Sequence, residues 1–262
     1  MKKIASLVAV ATLSMGSASA FANECPVSFD QLQTQLDSAI SQSNGGLDFD
    51  MWGVVVNRDG AVCAVVKSGY SGTDGGATQS NDSVVDPWPG SRVIAAQKAN
   101  TANAFSNVNL ALSTANVYSA VQPGGSLYGL QHSNPVDPRA AYRGNSANNG
   151  ANNDGMNGLK VGGVNVFGGG LALYDAGTGE LVGAVGVSGD TSCADHNVAM
   201  RVRDNLGFDW GPGGIDGDGT DNINYQASSI HTLAGLELAF NHPLCGFDEE
   251  DANEEIMADL LP

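Results

Sequence analysis

The sequence predicts an α+β domain in which one antiparallel sheet is covered by helices. Two observations carry this expectation. Residues 51–66 and 171–187 each hold a pair of short apolar, β-branched runs joined by a glycine-bearing turn, which is the pattern of a hairpin. Each pair is followed, at once or after a loop, by apolar residues at helical spacing, over 91–106 and 192–206.

Residues 167–206 are the stretch around which the rest is arranged. Leu171 to Asp175 alternates, Gly177 and Gly179 make the turn, and residues 181–187 form the return strand. Gly186, Ser188 and Gly189 break that strand. Asp190, Thr191 or Ser192 then caps a helix in which Val198, Val202 and Leu206 recur every four residues, and Gly207 stops it. A strand that ends in small residues at a helix N-terminus leaves backbone N–H groups converging on one spot, so a binding site is expected to touch it.

At the other end of the chain, Lys2 and Lys3 precede an apolar run over residues 4–13 and small residues up to Ala22. This is the pattern of a secretory signal peptide, residues 1–22, with Ala20 as an alternative cleavage position. The apolar run is too short to cross a bilayer permanently, so an exported periplasmic or secreted protein without membrane insertion is expected. The formal charge is −17, and losing Lys2 and Lys3 takes it to −19. Nine of the 11 Lys and Arg then remain, against 28 acids. That balance argues against nucleic acid and against an anionic membrane surface as partners. About 240 mature residues fit one domain better than two. We therefore expect a single domain over 23–247, with a Gly- and Asn-rich insertion at 124–163, and an acidic tail at 248–262 that is a solvated end.

Cys25, Cys63, Cys193 and Cys245 make an even count without a CxxC pair, which in an exported chain favours two disulfides over zinc. Spacing leaves three pairings open. We expect Cys193 with Cys245, tying the C-terminal segment to the central helix, which leaves Cys25 for Cys63.

The remaining elements follow in order. Ser28 with Gln31 is a capping box for a helix with Phe29, Leu32, Leu36, Ala39 and Ile40 on its apolar stripe, closed by Asn44-Gly45-Gly46. The first hairpin turns over residues 57–60, and residues 68–90 read as a long loop. In the helix over 91–106, Ile94, Lys98, Thr101, Ala102 and Phe105 share one face. Lys98 and Thr101 therefore interrupt an apolar stripe. Either Lys98 snorkels and Thr101 bonds a carbonyl one turn back, or both look into a polar cavity. A further helix is expected over 113–121, and a short one near 228–240.

The triple glycine 168–170 fits neither GxGxxG nor a P-loop, and close backbone packing accounts for it better. Gly186-Val187-Ser188-Gly189 is not the G-x-S-x-G of a serine hydrolase. Asp216, Asp218 and Thr220 stand at alternate positions as calcium ligands do, but the run lacks the glycine and distal glutamate of an EF-hand, so it is a weak calcium site or a turn. Four histidines supply the strong nitrogen ligands. His132 lies beside Leu127, Tyr128 and Leu130, a setting that suits a flat apolar ligand, and His196 lies on the central helix off its apolar stripe. His231 and His242 are expected to be surface or packing residues.

The segments SRVIAAQKANTANAF, LYGLQHSNP and FGGGLALYDAGTGELVGAVGVSGDTSCADHNVA together resemble the GlcG/HbpS-like haem-binding family, which includes the C-terminal domain of PduO-type proteins. The chain looks like an exported, disulfide-bearing branch of it. The resemblance implies a profilin-like three-layer α/β/α fold with a five-stranded antiparallel sheet, assembly into homo-oligomers, and haem binding with a role in haem or iron handling. It also implies haem degradation in some members, although no catalytic constellation is visible in this sequence. On this reading the porphyrin lies against Lys98, Thr101, Phe105, Leu127, Tyr128 and the backbone of Gly168, Gly169 and Gly170. His132 or His196 approaches the iron, and Lys98 pairs with a propionate. The alternative is a profilin-like sensor or binding module for a small organic acid or a partner protein, without haem. Lys98 and the helix start after Ser188 would then hold a carboxylate.

Overall fold

The computed structural model describes residues 24–69, 88–209, 211–215, 219–225, 231–233, 236–238 and 240–260. The signal segment, most of the 68–90 loop, and Asp216 and Asp218 lie outside these residues.

Both expected hairpins form. Strands β1 (Trp52–Asn57) and β2 (Val62–Lys67) pair around the turn at residues 57–61, and β3 (Gly170–Tyr174) pairs with β4 (Leu181–Ser188). They join through β1 and β4 into one antiparallel sheet of order β2-β1-β4-β3. The sheet therefore has four strands, where the resemblance implied five. The next strand-forming residues, β5 (His231–Leu233) and β6 (Leu236–Leu238), pair with each other instead. They also replace the short helix expected near 228–240, since Leu236 and Leu238 flank Glu237 at strand spacing.

The period of two along the strands sorts the core into two layers. Val55, Ala64, Val66, Leu171, Leu173, Val185 and Val187 pack with Leu32 and Leu36 of α1 (Phe29–Ile40) and with Val198 and Val202 of α5 (Ser192–Leu206). Val54, Val56, Val62, Val65 and Ala184 face the other way, onto α2 (Ser91–Phe105). That helix presents Ala95, Ala96, Ala99 and Ala102 to the sheet. It comes so close that a Cβ on Gly186 would stand 2.0 Å from the Ala95 carbonyl oxygen. The small residues of α2 and β4 thus set the spacing of this layer.

The caps are those the sequence encodes. Ser28 and Gln31 close the capping box of α1, Thr191 Oγ1 accepts the Ala194 N–H at the start of α5, and Gly207 ends α5 in the left-handed region at φ 75°. Residues 113–121 depart from expectation and hold only a single 3₁₀ turn, Ser119–Val121. The Ser113 N–H donates to Asn116 Oδ1, the Asn116 N–H donates to Ser113 Oγ, and Thr114 bonds Gly170 through both its N–H and its hydroxyl. These polar side chains satisfy the backbone locally and draw it away from the helix.

The 124–163 insertion is ordered on the α2 layer. It carries the short helices α3 (Leu130–Ser133) and α4 (Pro138–Ala141), and it buries Met156 beside Ala140 and Ala141. Arg92 donates to both carboxylate oxygens of Asp154, and both residues are buried. The acidic tail is not a solvated end either. It forms α6 (Glu249–Leu260), whose Ala252 and Ile256 are buried and whose Ile256 joins the α1/α5 layer. Glu249 is fully buried, and its carboxylate accepts the N–H groups of Cys245, Gly246 and Phe247. Both disulfides form as expected, Cys25–Cys63 and Cys193–Cys245. Among the described residues no helix is long and apolar enough to cross a membrane.

Candidate functional site

The corner where β4 meets α5 is the spot at which free N–H groups were expected to await an anion. The anion is already there, and it belongs to the chain. Asp195 Oδ1 accepts the N–H groups of Gly189 and Asp190 at 2.9 and 3.0 Å. Its Oδ2 takes the Lys98 ammonium at 2.7 Å, and Lys98 Nζ also donates to the Val187 carbonyl oxygen at 3.0 Å. Lys98 and Asp195 are 1 % and 2 % exposed. Burial lowers the Lys98 pKa and pushes Asp195 up to about 6, in each case against the attraction of the partner. Gly169, at φ 114°, closes the corner: a Cβ there would lie 2.5 Å from the Val187 oxygen and 3.1 Å from Lys98 Nζ. Lys98 therefore has no open cavity before it.

Thr101 takes the structural course as well. Its hydroxyl donates to the Gln97 carbonyl at 2.7 Å and accepts the Asn165 N–H at 3.0 Å. Gly170 is sealed against Thr114 and the backbone of Lys98, and Phe105 is half-buried. A carboxylate ligand held by Lys98 and the α5 start, as the binding-module reading requires, would have to displace Asp195.

His196 is fully buried, because residues 222–223 cover the side of α5 on which it lies. Its Nε2 accepts the Ile223 N–H at 3.0 Å, while Nδ1 is buried without a partner. Burial holds its pKa down at about 3, so the ring is neutral. His242, expected to be a surface or packing residue, is likewise buried, with its pKa lowered by burial to about 4. The run proposed for calcium serves another purpose where it is described. Thr220 Oγ1 accepts the Asn222 N–H, as in a turn, and Asp221 is bidentate on Arg203 at 2.7 and 2.9 Å.

The residues that face outward lie elsewhere, on the edge built from the start of the insertion and the segment before β3. His132 on α3 is exposed, and Leu127, Tyr128 and Phe167 are 37 %, 63 % and 42 % exposed. The two segments that carry them meet beneath the surface. Leu130, two residues before His132, packs with Val117, Val121 and Val166, and the Phe167 ring rests 6.0 Å from that of Tyr118. An imidazole beside exposed aromatic and aliphatic surface is a donor set that fits a porphyrin, with apolar contact for its face and one nitrogen for its iron. Two clefts of about 520 and 660 Å³ lie elsewhere, one between Met200, Arg203, Asp221 and Met257, the other between Asp37, Asp50, Met51 and Asp190. No residue expected to touch haem lines either of them.

Phe167 carries no signal of its own in the sequence beyond its place directly before the triple glycine. In the sequence Asp195 stands as an acid in the first turn of α5. No local signal pairs it with Lys98, 97 positions away.

Fold and corner together define a mixed α/β domain whose four-stranded antiparallel sheet runs from a glycine-rich strand end into a capped helix. Residues 73–203, half of the chain, match the family described as haem degrading protein HbpS-like, and the chain belongs to the HbpS-like family. Among solved structures it is similar to Klebsiella pneumoniae protein ORFY of family DUF336, at 23 % identity and a TM-score of 0.41, covering 68 % of this chain and 86 % of that one. It is similar to PduOC in complex with heme at 22 % and 0.41, covering 68 % and 94 %. It is similar to a double mutant of Streptomyces reticuli HbpS at 14 % and 0.39, covering 77 % and 97 %. No curated protein sequence matches it.

Proposed function

We propose that the protein is an exported haem-binding protein that takes part in haem or iron handling, and that the haem sits on the outer edge. Membership of the HbpS-like family supports haem as the ligand. The observation that carries the location is that His132, Leu127, Tyr128 and Phe167 are exposed, whereas Lys98, Thr101, Gly169, Gly170 and His196 are enclosed. When bound, the haem iron would supply the redox or ligand chemistry. His132 would hold it, and the three apolar side chains would cover part of the macrocycle and keep water from it. The signal-like residues 1–22 and the two disulfides support export, and intact mass of the secreted chain tests cleavage after Ala22. Assembly into a homo-oligomer belongs to the same reading, with apolar surface left exposed on this edge to be covered. Light scattering with and without hemin tests it.

Hemin titration of the purified chain is the direct experiment. We expect a saturable Soret shift that changes position and weakens in His132→Ala. A Soret shift identical in wild type and His132→Ala would remove His132 as the ligand, and no saturable shift in either would remove haem.

A further inference from the structure

The two disulfides sit in different surroundings. Cys25 is exposed and Cys63 half-buried, at the start of the domain, where they staple the segment before α1 to β2. Cys193 is fully buried in the first turn of α5, and Cys245 is half-buried in the loop before α6. The Cys193 N–H points at Cys245 Sγ, 3.3 Å away, and the Ser192 hydroxyl is 3.7 Å from the same sulfur. His242 stands beside them, its Nδ1 4.0 Å from Cys193 Sγ. One ligand atom from each of Cys193, His242 and Cys245 lies within 4.8 Å of the other two, and among the described residues this is the one His/Cys/Asp/Glu group so arranged.

We infer that Cys193, Cys245 and His242 form a redox-gated metal site, shut while the cysteines are bonded and a Cys₂His ligand set for a zinc-like divalent cation once a dithiol has reduced them. The step balances. The dithiol gives two electrons and two protons to the S–S bond and leaves as its own disulfide, and the metal then displaces the two sulfur protons into solvent. Tetrahedral zinc with bonds of about 2.3 Å to sulfur and about 2.0–2.1 Å to nitrogen places the sulfurs ~3.8 Å apart and sulfur ~3.6 Å from nitrogen. The present Nδ1–Sγ separation of 4.0 Å is already close to that. The sulfurs, now bonded to each other, must part to take an ion between them. Cys245 can make that movement, since it lies in a loop whereas Cys193 is fixed in the helix.

The helix start favours thiolates over thiols, which helps both reduction and metal capture. His242 now has Nδ1 2.8 Å from the Pro243 carbonyl oxygen, and its Nε2 accepts the Gly168 N–H at 3.4 Å. Coordination through Nδ1 moves the ring proton to Nε2 and ends both contacts. The metal state would thus release Gly168, which directly follows Phe167. Three protein ligands would leave a fourth position for water.

Co²⁺ alone, titrated into the full chain before and after dithiol treatment under anaerobic conditions, tests the inference. After reduction we expect one equivalent bound with thiolate-to-cobalt charge-transfer absorption, displaced by Zn²⁺, and none in the oxidised chain. Cys193→Ser and Cys245→Ser should each abolish a one-equivalent bis-thiolate band. His242→Gln should keep the charge-transfer absorption but weaken binding at least tenfold, to about that extent or more. The inference is overturned if reduced wild type gives no band, if the band survives Cys193→Ser, or if His242→Gln binds as tightly as wild type. Loss of native circular dichroism on reduction would also overturn it, since the bond would then be a structural staple and nothing more.

Discussion

The corner and the outer edge are two places where polar side chains meet apolar ones, and the structure treats them in opposite ways. At the corner every charge is consumed internally: Lys98 by Asp195 and the Val187 carbonyl, Asp195 by two further backbone donors. At the edge, Leu127, Tyr128 and Phe167 remain exposed, even though the Phe167 ring leans on Tyr118. The lesson is that a buried cation in an apolar stripe marks a structural keystone here, while the surface left incomplete is the one suited to a ligand. The two regions are joined in the chain, because Gly168–Gly170 runs from Phe167 directly into β3.

The comparison can be broken in four ways. Asp195→Ala should have the largest effect, costing about 3–5 kcal/mol because it leaves the Lys98 ammonium buried and unpaired. Urea unfolding measures it, and a loss no larger than that of a surface substitution would show that the corner is open to solvent.

Acidification comes next. His196 and His242 are held neutral in the fold, with pKa values near 3 and 4 against 6.5, so the unfolded chain binds protons first and stability falls as the pH drops below 6.5. Asp195 and Asp209, both raised by burial to about 6 from 3.8, act the other way, since the folded chain takes up their protons first as the pH falls through that window. The two histidines outweigh the two carboxyls, for a net loss of about 1 kcal/mol between pH 7.5 and pH 5. Unfolding midpoints that are flat or rise over that range would contradict the buried assignments.

Thr191→Ala removes the cap of α5 and should cost about 1 kcal/mol with no change in the outer edge. Tyr128→Ala sits at the bottom of the stability scale. It should leave the unfolding midpoint unchanged while weakening hemin several-fold, since an exposed aromatic has little to lose from the fold and much from a ligand it covers.

Much of the frame could be read from local pattern. The two hairpins, the capping box of α1, the Thr191 cap and the Gly207 stop all follow from residues a few positions apart, and they stand where expected. Contacts made across the chain were not legible. Lys98 with Asp195, and Arg92 with Asp154 at a separation of 62, leave no trace in local periodicity. In α6 the signal was present but hidden by charge. Ala252, Ile256 and Leu260 recur every four residues, yet seven acids between Asp248 and Asp259 dominate the reading. The converse failure is residues 113–121, whose apolar content resembles a helix while Ser113, Thr114 and Asn116 bind the backbone themselves.

The measurement that bears most directly on the account is hemin titration of wild type, His132→Ala and His196→Ala, with the Soret position and the dissociation constant read for each. The account predicts that His132→Ala shifts the band and weakens binding at least tenfold, about the loss of one good contact of 1.4 kcal/mol, while His196→Ala, if folded, binds as wild type does. A loss confined to His196→Ala, with its circular dichroism intact, would place the iron at the corner and contradict it.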